Sequence, residues 1–423
     1  MLISKWFRGN KYRAYRASAL DRSWGSSRIV AVVGPLTGLE KAEIESTVKA
    51  IETATATPRI AISPLIADQR WAYQRGLAEG GVHVISDSST ANLGEFLTAI
   101  GNRAGDRRPT EVFLGGGYLA VEYPHAVGDG QYGVSLLAAL AGSEPELPTD
   151  LPGNAVWQAL WRLYSTHPKR LLAVRNLRND QRSKVIDLQP SRTFVDWRQS
   201  RRVFVGRLDA SRVRQLQEWV SKHAPGSGRV AVMSALWCAA LRSAQVAVDE
   251  RVVVLFDCRR YLPDSQRAAL GNFAIGVPLK IGTLPPHQIT ALVRTVIETG
   301  WPVAAIGMAA VRSRLRGAIP ADSTNAVAVP NQIRLAISNM GRAPASFDHL
   351  PWADGTPHQA TAFVDLGGPD AMTLFLSDVG DGRNVAVTYC ADMVSREIVE
   401  AAVERICSDP VTVLDTEFGA SKY

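Results

Sequence analysis

The chain has 423 residues, 46% of them hydrophobic and 21% charged, which is enough apolar material for two packed domains. Its net charge is +7, but Lys and Arg are dispersed in short groups (Arg107 and Arg108, Arg201 and Arg202, Arg259 and Arg260) with Asp and Glu between them. That pattern argues against nucleic acid as a partner, and Cys238, Cys258, Cys390 and Cys407, widely spaced and without a C-x-x-C, argue against a disulfide framework or a zinc site.

Residues 1–16 carry Lys5, Arg8, Lys11 and Arg13 but lack the roughly 7–15 apolar residues of a signal peptide. No stretch approaches the roughly 20 apolar residues of a membrane-spanning helix, so a soluble, cytoplasmic protein is expected. Arg28 to Val33 reads as a strand. Thr37-Gly38-Leu39-Glu40 matches a capping box ahead of a helix with Ile44, Val48 and Ile51 on one face. Phe96, Leu97 and Ile100 suggest another helix. Val112 to Leu114 and Tyr118 to Val121 form an apolar run broken by Gly115, Gly116 and Gly117, which reads as one strand with a bulge. Val134, Leu136, Leu137 and Leu140 carry a short helix, and Gly142 to Asn154 is a proline-rich loop. Trp157, Leu160, Trp161 and Tyr164 recur at helical spacing, an aromatic stripe expected to pack in the core.

Residues 176–200 are polar and irregular, which suggests a crossing between two halves, 1–178 and 179–423. Arg202 to Leu208 is strand-like, and Asp209 can cap a helix with Val213, Leu216 and Val220 inward. Ala231 to Leu241 reads as a buried helix, while Arg251 to Phe256 and Phe273 to Ile281 read as strands. Ile289, Leu292, Val293 and Val296 mark a helix, and Arg334 to Ile337 a short strand. Met372 to Leu376 and Val385 to Tyr389 pair through Asp381-Gly382 as a hairpin, and Ser395 caps the last helix.

The most informative segment is Tyr123-Pro124-His125-Ala126-Val127-Gly128-Asp129-Gly130. It delivers a histidine at the end of a buried strand, with a carboxylate four residues on and a glycine that leaves room beside it. Histidine suits proton transfer near neutral pH, its ordinary pKa being about 6.5. Gly128, Gly130 and Gly133 complete a G-x-G-x-x-G spacing, which alone is weak support for dinucleotide binding. His83, His167, His223, His287, His349 and His358 have no partner spacing for a metal, and a structural or surface role is expected for each.

Three segments in order resemble the chloramphenicol acetyltransferase-like superfamily, which includes BAHD acyltransferases, polyketide-associated acyltransferases and the condensation domains of nonribosomal peptide synthetases. His125 to Gly130 resembles H-x-x-x-D-G. Phe256-Asp257-Cys258-Arg259-Arg260-Tyr261-Leu262, followed by Leu270-Gly271-Asn272-Phe273, resembles the D-x-R … G-N-F block. Ile337-Ser338-Asn339-Met340-Gly341 resembles the S-N-x-G turn. The resemblance implies an α/β (α+β) fold of two acetyltransferase-like subdomains set in a V around an interdomain channel.

The implied activity is acyl transfer from a coenzyme A or acyl carrier protein thioester to a small alcohol or amine, in lipid or natural-product biosynthesis. It needs no metal, no permanently bound cofactor and no covalent enzyme intermediate, and a monomer is expected. The resemblance gives His125 the general base role, and Asp129 an ion pair with Arg259, with Arg260 in reserve. Gly130 leaves space for the pantetheine arm, Ser338 donates to the oxyanion, and Asn272 holds the crossing between the halves. Pro124 replaces the first of two adjacent histidines found in many condensation domains. Amide-forming condensation, or a degenerate protein that only docks a carrier, are the alternatives.

Overall fold

Dense β-branched stretches set the sheets of this chain, and amphipathic helices cover them. The computed structural model describes residues 14–54, 58–65, 68–77, 79–85, 92–142, 147–182, 191–316 and 326–419. Tyr15–Arg16 (β1), Ile62–Ser63 (β3) and Arg70–Tyr73 (β4) form a small sheet beside a larger one. The larger one takes Arg28–Gly34 (β2), Val82–Val84 (β5), Glu111–Gly115 (β6), Tyr118–Pro124 (β7) and Gln359–Val364 (β14), in the order β14-β2-β7-β6-β5.

A second large sheet takes Arg201–Leu208 (β9), Arg251–Asp257 (β10), Ala274–Lys280 (β11), Arg334–Arg342 (β13), Ala371–Val379 (β15) and Gly382–Cys390 (β16). Its order is β11-β10-β13-β15-β16-β9, with β13 parallel to both neighbours and the other pairs antiparallel. Arg192–Val195 (β8) and Ala326–Val329 (β12) pair by themselves. This is the mixed α/β architecture expected.

Ala19–Ser23 (α1) precedes β2. Lys41–Ala54 (α2), Leu93–Gly101 (α3) and Gly130–Ala141 (α4) cover the first sheet with Val48, Phe96 and Leu136 turned into its core. Ala155–Tyr164 (α5), Lys169–Asp180 (α6), Ala210–His223 (α7) and Arg229–Ser243 (α8) belong to the second core, as do Pro286–Thr299 (α9), Arg396–Ser408 (α11) and Pro410–Phe418 (α12). Trp301–Arg316 (α10) joins them through Val303 and Ile306. The helix α5 and most of α6, which precede residue 178, therefore pack with the later half, while β14, which follows it, completes the first sheet.

Several expectations are corrected. The apolar run around residues 112–121 is two strands, not one bulged strand. β6 and β7 pair antiparallel with Leu114 opposite Leu119, and the chain turns at Gly116 and Gly117, whose φ values are 57° and 79°. A two-residue turn that needs left-handed backbone at both positions calls for glycine at each. Thr37 caps no helix: α2 starts at Lys41, and Thr37 instead donates its hydroxyl to the Pro351 carbonyl at 3.2 Å.

The stripe on α5 is core only in part: Tyr164 is buried and Leu160 packs against the second core, but the two tryptophans do not. The helix buries Ala155, Ala159 and Tyr164, and leaves Trp157 and Trp161 exposed, because α10 packs close on the small-residue face, with Gly307 against Leu160. Residues 176–180 of the expected crossing are helical in α6, and 183–190 lie outside the described residues. The strand from Arg334 runs on to Arg342 with a bulge between Asn339 and Gly341. Ser395 precedes α11, but α12 is the last helix, capped by Asp409.

Candidate active site

The chain leaves β7 at Pro124, and His125 N–H donates to the Ser27 carbonyl at 2.8 Å, tying the turn to the start of β2. Arg59, buried, donates to the Val127 carbonyl and pairs with Asp150 at 2.8 Å, so the turn is fixed from its other side. Asp129 then caps α4, its carboxylate accepting from Gln131 N–H at 3.2 Å. Tyr123 Oη donates to the Asp129 carbonyl at 3.0 Å. The helix can approach that closely because residue 133 is glycine, where a Cβ would lie 2.5 Å from the Tyr123 hydroxyl. The glycine at 133 thus serves packing.

The His125 imidazole is buried and stacked on the Trp24 indole, centroids 3.5 Å apart and planes 8° from parallel. Its Nδ1 is buried without a hydrogen-bond partner among the described residues. Burial pulls the imidazole pKa below its ordinary value, against the opposing pull of its own backbone carbonyl, Asp129 and Asn272, and so favours the neutral ring. A neutral imidazole held in one plane by stacking is a competent proton acceptor.

Asp129 and Arg259 form a bidentate ion pair, Nη1 to Oδ2 at 2.9 Å and Nη2 to Oδ1 at 3.1 Å, both residues almost fully buried. Phe273 N–H also donates to Asp129 Oδ2 at 3.1 Å. The other guanidinium donors reach the Ala269 carbonyl at 2.8 Å, the Gly271 carbonyl at 2.7 Å and Asp257 Oδ1 at 3.2 Å. All five N–H groups of Arg259 are thereby used, and the Asp129 oxygens accept four bonds, so neither side chain has capacity left for a substrate. Burial opposes the charge of Arg259, but Asp129 more than compensates and raises its pKa. Arg260 is exposed and takes no part.

Asn272 crosses between the two sheets. Its amide nitrogen reaches the carbonyls of His125 at 2.9 Å and Ala126 at 3.0 Å, and Asp21 Oδ1 at 3.0 Å. Asp21 closes a capping box with Ser18 at the start of α1, the helix that leads into Trp24. One amide therefore braces both the histidine and the segment carrying the indole stacked on it.

These residues border a cavity of about 820 Å³ lined by both sheets. Ile29, Ala31, Val134 and Leu137 line it from the first half, and Leu255, Ala274, Met340 and Phe375 from the second. Ser338, half-buried on β13 opposite Phe375, lines it as well. Gly130 faces open space, since a Cβ there would meet nothing within 4 Å. Arg342 and His349 are exposed lining residues. Sequence reading missed three members of the site. Trp24 and Asp21 lie too far from His125 along the chain for any spacing rule, and Thr361, whose buried hydroxyl lacks a partner among the described residues, comes from β14. Elsewhere, His83 pairs with Glu111 at 3.1 Å, His223 bonds the Trp219 carbonyl at 3.1 Å, and His358 stacks on Trp352.

No family model and no curated protein matches this sequence. Solved structures do match by shape. Trichothecene 15-O-acetyltransferase TRI3 of Fusarium sporotrichioides superposes with a TM-score of 0.57 at 12% identity, covering 93% of this chain and 94% of that one. The condensation domain of the monacolin K polyketide synthase MokA gives 0.57 at 13% identity, covering 97% and 99%. The first condensation domain of the CDA synthetase gives 0.57 at 15% identity, covering 96% and 97%.

Proposed function

We propose that this chain, which has the two-subdomain chloramphenicol acetyltransferase-like fold, transfers an acyl group from a coenzyme A or carrier-protein thioester to a hydroxyl or amine. The observation that carries this reading is a buried, stacked imidazole bordering a cavity built by both halves. With Nδ1 shut into the protein, Nε2 is the nitrogen available to a reactant. It takes the proton from the acceptor as the acceptor oxygen or nitrogen attacks the thioester carbonyl. The carbon–sulfur bond then breaks, and the imidazolium returns the proton to the departing thiolate. No bond to the enzyme forms, so both substrates must be bound together in the cavity beside His125.

Ser338 is the candidate donor to the tetrahedral oxyanion, and its half-buried position on a bulged strand supports that role. Asp129 and Arg259 act by holding the turn. Gly130 keeps the approach to His125 open, which suits a slender pantetheine arm. Turnover of acyl thioesters by the wild type and by His125→Ala tests the reading. A loss of roughly 10²–10⁴-fold is expected, the range for a missing general base, at unchanged melting temperature. A folded variant with near-normal rates would remove His125 from the mechanism.

A further inference from the structure

Outside the cavity, the chain's exposed apolar residues are concentrated rather than scattered. Eight large hydrophobic side chains are exposed among the described residues, and five of them, Trp157, Trp161, Leu171, Leu172 and Val311, lie on α5, α6 and α10. These three helices pack side by side around a groove of about 810 Å³. Trp161 is 74% exposed and Leu172 is 60% exposed, values that packing against the rest of the chain does not explain.

The charge of the same surface is one-sided. Residues 155–182 contain six Lys and Arg (Arg162, Lys169, Arg170, Arg175, Arg178 and Arg182) and a single acidic residue, Asp180. Arg312 on α10 adds to the groove, and α10 carries no carboxylate. Arg162 and Lys169 are exposed, and each is next to one of the outward apolar groups: Arg162 follows Trp161, and Lys169 and Arg170 precede Leu171 and Leu172.

We propose that the α5–α6 hairpin and the adjoining face of α10 dock this protein onto an anionic lipid surface. Indole and leucine side chains enter the headgroup and acyl boundary while neighbouring Arg and Lys meet lipid phosphates, the combination that holds amphipathic helices in an interface. A lipid surface fits better than an acidic protein because the apolar groups project outward and need no complementary shape to be buried. No single helix among the described residues is long and apolar enough to cross a membrane, and although α9 and α10 pass that test as a bent pair, both pack into the second core through Ile289, Val296, Val303 and Ile306, so the contact proposed is peripheral. The proposal is independent of the reaction assigned to His125.

The test is co-sedimentation of the full chain with vesicles of phosphatidylcholine alone or with about 30 mol% phosphatidylglycerol, at low and high salt. Binding to the anionic vesicles only, weakened by salt, is expected. Each of two double variants, Trp161→Ser with Leu172→Ser and Arg162→Glu with Lys169→Glu, should bind at least about tenfold more weakly at unchanged melting temperature. Absence of binding, equal binding to neutral vesicles, or binding retained by either variant overturns the proposal. So does self-association in solution that the Trp161→Ser, Leu172→Ser variant abolishes, or binding to an acidic carrier protein without binding to vesicles.

Discussion

In the proposed reaction His125 can act as a base only while neutral, and its environment sets when that is. Burial displaces its pKa downward from about 6.5, so kcat/KM should rise with pH along a limb whose midpoint lies below about 6.5 and stay flat through neutrality. A midpoint above that value would mean a different titrating group. The same displacement costs stability as the pH falls from about 6.5 toward the folded value, because the unfolded chain takes up the proton first. Asp129 presents a different case. Asp129→Asn leaves Arg259 buried with its main counter-charge gone, and breaking such a pair costs about 3–5 kcal/mol. Urea unfolding should register that loss, and an unchanged midpoint would show the pair to be dispensable. His125 was legible from its place at the end of a buried strand, and the pairing of Asp129 with Arg259 from the family resemblance that their short motifs carry. Trp24 was not legible, because its stacking on His125 exists only after α1 and β7 are brought together.

At the scale of elements, periodicity located most helices and strands but not their ends or partners. The hairpin of β6 and β7 was hidden because its turn glycines sit inside an unbroken apolar stretch, and a bulge and a tight turn leave the same trace there. On α5 the spacing marked Leu160 and Tyr164, which pack inward, together with Trp157 and Trp161, which are left outside because Ala155 and Ala159 share the inner face. Element packing also gives a prediction about α4. Gly133→Ala presses a methyl group onto Tyr123 where the helix crosses β7, and overpacking of this kind costs about 1–3 kcal/mol. The shift should spread to the His125 turn, so a drop in melting temperature together with a lower kcat is expected. A variant as stable and active as wild type would show that α4 can move freely.

For the molecule as a whole, the cavity lies between two sheets that Arg259 and Asn272 join through hydrogen bonds. Its lining contains two cationic residues among those described, Arg259 and Arg342, and Arg259 is fully engaged. Coenzyme A phosphates therefore find little there to hold them. Acyl transfer should proceed from acyl-CoA and from an acyl-pantetheine analogue with similar kcat/KM, and faster from the cognate carrier protein. Equal rates with the analogue and the carrier would show that protein docking contributes nothing. The two-subdomain architecture was legible because three different segments resemble the family's motifs in order, but how the strands are shared was not. Gln359–Val364 pairs with β2, and no local pattern marks a partner so distant along the chain.

That pairing has a consequence for how the chain leaves the ribosome. β2 is made early, but the strand that covers its open side, β14, starts only at Gln359. At the usual 5–20 residues per second, the nascent sheet waits on the order of tens of seconds with an unpaired row of backbone N–H and C=O groups. The wall that carries His125 is therefore finished only when the later part of the protein has been translated. For all that time the growing polypeptide offers a free β edge to neighbours on the same polysome, which makes this interval the natural point of entry for a chaperone.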